Sequence, residues 1–381
     1  MRAFFLIFIC IYFGTSTFVI LHTMDVLKPF KIRFLFLILY ILLTFAIFLG
    51  RIWGNLFPLD VSAWLARLGY IWMGLLVYMF VWSVIWLILR FFSIGPDLAI
   101  HRILFFLGEI ILCFTIFLVG YTNARNVQVI RHNIGTDKEL NIRIVQISDN
   151  HLGFMNSEKQ FRIIIEKINQ LEPDLLLITG DFLENEHNYA IINDIGKSLT
   201  SLNISLGIWA ILGNHEYISG IETSIDYMKS LGISILRDDS VMIGDSLLLI
   251  GQEDQTMQRW VNEPLKGLDD LLSSTIENDD LSVAEIAKNK FTILMTHQIK
   301  NHKLYEKKDI DLVLSGHTHF GQYFPFNIIT KKLFDIAYGL EKRGGTYMYV
   351  SSGTGVWGPP MRLGSRSEIV VFDVKKGLDK L

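Results

Sequence analysis

Donor side chains of one chemical kind recur where short β-type runs end. Asp149 and His151 follow "NIRIVQIS", Asp181 follows "LLLITG", Asn214 follows "GIWAILG", His297 follows "FTILMT", and His317 and His319 follow "DLVLSG". His215 and Glu216 come directly after Asn214. Side chains just beyond the carboxyl ends of strands in an open α/β sheet converge on one crevice. Carboxylates, an amide and imidazoles meeting there make a set of nitrogen and oxygen donors, which suits manganese, iron, zinc or nickel better than a thiophilic metal. The two cysteines, Cys10 and Cys113, lie inside apolar runs far from this set, so neither a disulfide framework nor a thiolate zinc site is expected.

The elements that must aim these donors follow from the pattern. Strands are expected at about 142–148, 175–179, 207–212, 247–250, 291–296, 311–315, 346–351 and 368–374, where β-branched and leucine-rich residues cluster. Between the early strands, "SEKQFRIIIEKINQ" opens on a serine cap and repeats its apolar residues at three-to-four spacing. "NYAIINDIGKSLTSL" and "SGIETSIDYMKSL" read as helices in the same way. Strands alternating with helices predict an α/β domain. Residues 253–288 are acidic and polar, and read as a surface excursion.

Taken together, "DNH" (149–151), "GD" (180–181), "GNHE" (213–216), the histidine of "MTHQ" and "GHTH" (316–319) resemble the calcineurin-like metallophosphoesterase superfamily, in particular its membrane-linked bacterial phosphoesterases. The resemblance spans about residues 142–374 and implies a four-layer αββα sandwich with a two-metal site at one edge. By motif, Asp149, His151 and His319 would hold one divalent ion, Asn214, His297 and His317 the other, and Asp181 would bridge them. A hydroxide between two such ions would attack phosphorus in line, and His215 would contact the phosphate and protonate the leaving oxygen. Glu216 is expected to support rather than react. Asn150 and Phe320 depart from the usual family residues without removing a ligand.

Ahead of this domain the composition changes. The 381 residues are 51% hydrophobic, with a mean hydropathy of +0.37, and most of the excess lies before about residue 122. Apolar runs at about 3–22, 34–50, 68–89 and 103–121 each approach the roughly 20 residues that cross a bilayer as a helix. Residues 1–122 are therefore read as a transmembrane region, 123–140 as a linker and 141–381 as the catalytic domain. Four spans put both ends on one side. Arg2, Arg51, Arg67, Arg125 and Arg131 on one face balance Lys28, Lys31, Arg33, Arg90 and Arg102 on the other, and only the density of "KPFKIR" tips the domain toward the extracytoplasmic side. Glu109 falls within the fourth span and is expected as a neutral carboxyl bonded to a neighbouring helix. Arg362, in a C-terminal loop with Trp357, Pro359 and Pro360, fits either a second phosphate or plain loop packing.

A net charge of −3 supplies no basic field for nucleic acid, which is not expected as a specific partner. The expected function is that of a membrane-anchored dimetal hydrolase of phosphodiester or pyrophosphate-type bonds, lipid-linked ones among them. A phosphomonoesterase and a non-enzymatic metal-binding scaffold are the alternatives.

Overall fold

The apolar runs form four helices: α1 (Arg2–Val26), α2 (Arg33–Arg51), α3 (Leu59–Phe91) and α4 (Ala99–Arg125). The structure is a computed structural model that describes residues 2–92, 99–184, 186–259, 265–276, 281–299, 301–306 and 308–377. All four helices, α1 from Leu6 onward, are long and apolar enough to cross a membrane. α3 extends well beyond the run expected for it: its 33 residues rise about 50 Å, against roughly 30 Å of hydrocarbon. The chain divides into two units, the first holding residues up to Thr122 together with Gly358–Met361, the second Asn123–Trp357 with Arg362–Leu381.

Within the first unit, small residues let helices touch. A Cβ on Gly69 would lie 2.6 Å from the Ile47 Cβ, and one on Gly50 would meet the backbone of Ser62 and Ala66, so α2 and α3 pack backbone to backbone. Polar contacts tie the helices at one level. Trp72 Nε1 donates to Thr44 Oγ1 at 3.1 Å, and the Tyr12 hydroxyl donates to the Thr44 carbonyl at 3.0 Å. Glu109 is buried in α4 and its Oε1 has no hydrogen-bond partner among the described residues, so the expected bond to a neighbouring helix is not seen at that atom.

The second unit carries two six-stranded sheets. Its strands are β1 (Gln128–Thr136), β2 (Asn141–Ile147), β3 (Leu175–Thr179), β4 (Ile208–Ile211), β5 (Ser234–Ile235), β6 (Asp239–Ile243), β7 (Leu247–Gly251), β8 (Phe291–Met295), β9 (Leu312–Ser315), β10 (Gly339–Arg343), β11 (Thr346–Val350) and β12 (Glu368–Lys376). Its helices are α5 (Glu158–Leu171), α6 (Tyr189–Ile192), α7 (Asn214–Ser219), α8 (Ile221–Ser230), α9 (Leu268–Ser273), α10 (Val283–Asn289) and α11 (Phe326–Leu333). One sheet runs β1-β12-β2-β3-β4-β5, with β2 to β5 parallel; the other runs β10-β11-β9-β8-β7-β6, with β7, β8, β9 and β11 parallel.

Side-chain alternation along β2 builds two layers of core at once. Ile142 and Ile144 point between the sheets, where they meet Leu249, Ile293, Leu314 and Phe372. Val145 and Ile147 point outward to Phe161, Ile164 and Ile168 of α5. α5 forms as its pattern demands: Ser157 accepts the Gln160 N–H, and the apolar residues recur on one buried face. The fold is thus α/β, two stacked sheets with helices outside.

Three expectations need correction. Within 253–288, the described helices α9 and α10 are not a surface excursion: Leu271 and Leu272 of α9 and Val283 and Ile286 of α10 cover the outer face of the second sheet, with Asp269, Asp270 and Glu285 turned to solvent. The stretch read as a linker contains the last turn of α4 and all of β1, an edge strand whose "RHN" interrupts the apolar alternation. The helix expected over "NYAIINDIGKSLTSL" is the single turn α6 and a separate 3-10 helix at Lys197–Ser201, broken where Asp194 turns left-handed at φ 46°.

Candidate metal centre

The donors sit on turns at the carboxyl ends of β2, β3 and β4 in one sheet and of β8 and β9 in the other. Aiming them takes unusual backbone. Asp149 (φ 51°), His151 (φ 43°), Asp181 (φ 52°), His317 (φ 70°) and His319 (φ 47°) are all left-handed. Each such non-glycine residue costs roughly 1 kcal/mol, and strain of this kind gathers where function demands a geometry. Two glycines make room. A Cβ on Gly213 would strike the Asp181 carboxylate, and one on Gly316 would strike Ser148 and the Asp149 carboxylate.

Three groups of ligand atoms result. Asp149, His151 and His319 lie together, Asp181, His297 and His317 lie together, and His151, Asp181 and His215 form a third group. Asp181 Oδ2 is 3.2 Å from His297 Nε2 and 3.7 Å from His151 Nε2, so one oxygen faces both clusters. Its other oxygen accepts the His215 backbone N–H at 2.8 Å. His319 Nε2 is 3.1 Å from His151 Nε2 and 3.4 Å from Asp149 Oδ1. The Asp149 carboxylate also accepts from Ser148 Oγ at 2.6 Å and from the His317 backbone N–H at 3.0 Å.

Outer contacts set the imidazoles. His297 Nδ1 donates to the Thr179 carbonyl at 2.8 Å, which leaves Nε2 as the ring nitrogen aimed at the cluster. His151 Nδ1 meets Glu184 Oε2 at 3.0 Å, and the same oxygen lies 2.7 Å from His215 Nδ1. Asn214 opens α7, where Glu216 reaches back to the Gly213 N–H at 2.8 Å. Glu216 also accepts the N–H groups of Asp181 and Leu183, so it clasps the β3 and β4 turns together. Burial and the neighbouring Asp181 charge push its carboxyl up to about 7. Burial also raises Asp149. For Asp181 burial acts upward, yet the histidines around it, His297 first, hold it well below the usual carboxylate range. For His297 burial acts downward, and Asp181 and Asp149 outweigh it, holding the imidazole well above its usual value.

A cation fits this arrangement. Asn214 Oδ1 is a buried atom with no hydrogen-bond partner among the described residues, a costly condition in a low-dielectric interior, and it belongs to the set expected around one ion. The donors are nitrogen and oxygen only, as manganese, iron, zinc or nickel would require.

All seven expected ligand residues and His215 therefore lie in one cluster of turns. Sequence reasoning missed Glu184, three residues after Asp181 in "GDFLE". Its signal was one acidic residue among many, on a loop already credited with its aspartate. Arg362 packs within the C-terminal loop. It is fully buried and donates to the carbonyls of Ser352 and Gly355 at 2.7 and 2.6 Å, with Nη2 3.3 Å from His319 Nδ1, so the packing reading holds. Trp357 is half exposed, its ring 6.2 Å from that of His215.

Comparison with known proteins gives the cluster a context. The family model described as calcineurin-like phosphoesterase matches residues 142–321. An uncharacterised metallophosphoesterase of Campylobacter jejuni is 34% identical over 286 residues, 72% of this chain and 71% of its own length. An uncharacterised metallophosphoesterase of Aquifex aeolicus is 32% identical over 256 residues, 65% of this chain and 92% of its own. A bovine relative named transmembrane protein with metallophosphoesterase domain is 35% identical over 238 residues, 60% of this chain and 52% of its own.

Proposed function

Since the chain belongs to the calcineurin-like metallophosphoesterases, we propose that it is a membrane-anchored hydrolase of phosphodiester or pyrophosphate-type bonds whose substrates are lipid-linked. The observation that carries the hydrolytic reading is the single oxygen of Asp181 that faces two donor groups, 3.2 Å from His297 and 3.7 Å from His151. In this reading Asp149, His151 and His319 hold one divalent ion, Asn214, His297 and His317 the other, and Asp181 both. Ions bound there would supply Lewis-acid charge to the phosphoryl oxygens and an acidified water.

The chain's own groups do the rest. His215 follows Asn214 on the first turn of α7, and Glu184 anchors its Nδ1 at 2.7 Å. That carboxylate beside Nδ1 leaves Nε2 as the nitrogen to carry a proton to the leaving oxygen. Through the same oxygen Glu184 orients His151, so one carboxylate sets a proton donor and a metal ligand together. Four candidate spans exceed what a tether needs, which supports a substrate that resides in the bilayer. The basic "KPFKIR" loop, taken as cytoplasmic, puts the catalytic unit on the opposite side.

The test is hydrolysis by the full chain in nanodiscs, loaded with manganese, of a lipid phosphodiester and of a water-soluble nucleotide. Asp181→Asn is expected to lower both rates about a thousandfold while the fold persists. An Asp181→Asn chain as active as its parent overturns the hydrolytic reading, and equal parental rates on the two substrates overturn the lipid-linked one.

A further inference from the structure

α11 is built inside out for a helix on a water-facing domain. Its polar Thr330 is buried and Asn327 half-buried, while Phe326 (41% exposed), Ile329 (48%) and Leu333 (73%) face outward, joined by Phe324 (54%) just before it. Single exposed apolar residues are ordinary; a contiguous run of them on one short element marks an interaction surface. Lys331 and Lys332 close the helix, Lys331 with its Nζ 5.2 Å from the Phe320 ring.

Two observations identify what this surface meets. The first is connectivity: α4, a candidate span, ends at Arg125, and β1 starts at Gln128. The last turn of α4 is already bonded into the catalytic unit. Asn123 donates to the Arg362 carbonyl, the Ala124 carbonyl accepts from Ser367, and Arg125 donates to the Met155 carbonyl. A chain that leaves a bilayer so close to its first strand keeps this unit at the lipid surface. The second is chemistry: outward phenylalanine, isoleucine and leucine with paired lysines in the last turn form the signature of a helix lying in the headgroup region of an anionic membrane.

We propose that α11 with Phe324 is a lipid-docking element, its apolar face seated among acyl chains and Lys331 and Lys332 among anionic headgroups. The element is joined to the metal centre. It follows the His319 turn, and Gln322 exchanges two 3.0 Å hydrogen bonds with the Trp357 backbone, whose indole stands beside His215. Docking would hold the site mouth at the depth of lipid phosphates.

The test uses nitroxide labels at Phe324→Cys, Ile329→Cys and Leu333→Cys, each in a full-length chain carrying Cys10→Ser and Cys113→Ser, in nanodiscs with anionic phospholipid. Power saturation compares access to oxygen, which concentrates among acyl chains, with access to a water-soluble nickel chelate. Docking predicts oxygen above nickel at all three positions, and a fall in that ratio when Lys331→Glu and Lys332→Glu are added. Nickel above oxygen places α11 in water and overturns the proposal. Poor access to both reagents means a protein covers the face, and overturns it equally. Three exposed positions keep the test decisive if one variant folds badly. The outcome is separable from the hydrolase reading: a docked α11 on an inactive chain refutes only the latter, and an active chain with α11 in water refutes only the docking.

Discussion

Glu184 is the side chain on which two imidazoles depend. Its Oε2 lies within hydrogen-bond reach of both His151 and His215, so Glu184→Gln should leave the fold intact and lower hydrolysis about 10–100-fold. Steady-state rates on a soluble phosphodiester at saturating metal test this, and unchanged rates would contradict the role. His297 gives a second expectation. Burial alone would lower its pKa, but Asp181 and Asp149 hold it well above the usual value, so the metal-free imidazole keeps its proton to higher pH than a free one does. An incoming ion must displace that proton, and affinity therefore rises as pH rises toward the raised pKa. Manganese titration calorimetry at about pH 6 and pH 8 should give tighter binding at the higher value; equal affinities would contradict it. The donor residues themselves were legible because aspartate, asparagine and histidine at strand ends are conspicuous. What was not legible is how the backbone aims them. Left-handed φ at Asp149, His151, Asp181, His317 and His319 has no mark in residue type, since none of them is glycine.

Between elements, legibility followed burial. β3, β8 and β9 are parallel strands buried on both faces and read as unbroken apolar runs, "LLLIT", "FTILM" and "LVLS". β1 and β10 are sheet edges, and "QVIRHNIGT" and "GLEKR" carry charges that hide the strand. α9 and α10 passed for surface because acidic residues outnumber the few leucines and isoleucines that anchor them. The α2–α3 contact could not be read at all, because small residues in an apolar run serve any close approach. Its prediction is direct. Gly69→Val would drive a side chain into Ile47 and should destabilise the helical unit by about 1–3 kcal/mol, whereas Gly14→Val, with open space around it, should be neutral. Apparent melting temperatures of the two full-length variants in detergent decide; equal values would mean α2 and α3 do not pack as described.

As one molecule, the chain couples four helices fit to cross a membrane to a two-sheet domain whose strand ends gather carboxylates and imidazoles around one shared aspartate. The relatives named as transmembrane proteins with a metallophosphoesterase domain carry the same pairing in their names. The proposed lipid-linked substrate and the proposed docking of α11 both depend on that pairing, but the centre comes first, because without two ions neither has chemistry to serve. The most direct measurement is anomalous diffraction from crystals of the full chain grown with manganese. The account predicts two anomalous peaks about 3.5–4 Å apart, both in contact with Asp181 Oδ2, one beside His151 and His319 and the other beside His297 and His317. A single peak, or none touching Asp181, would contradict it.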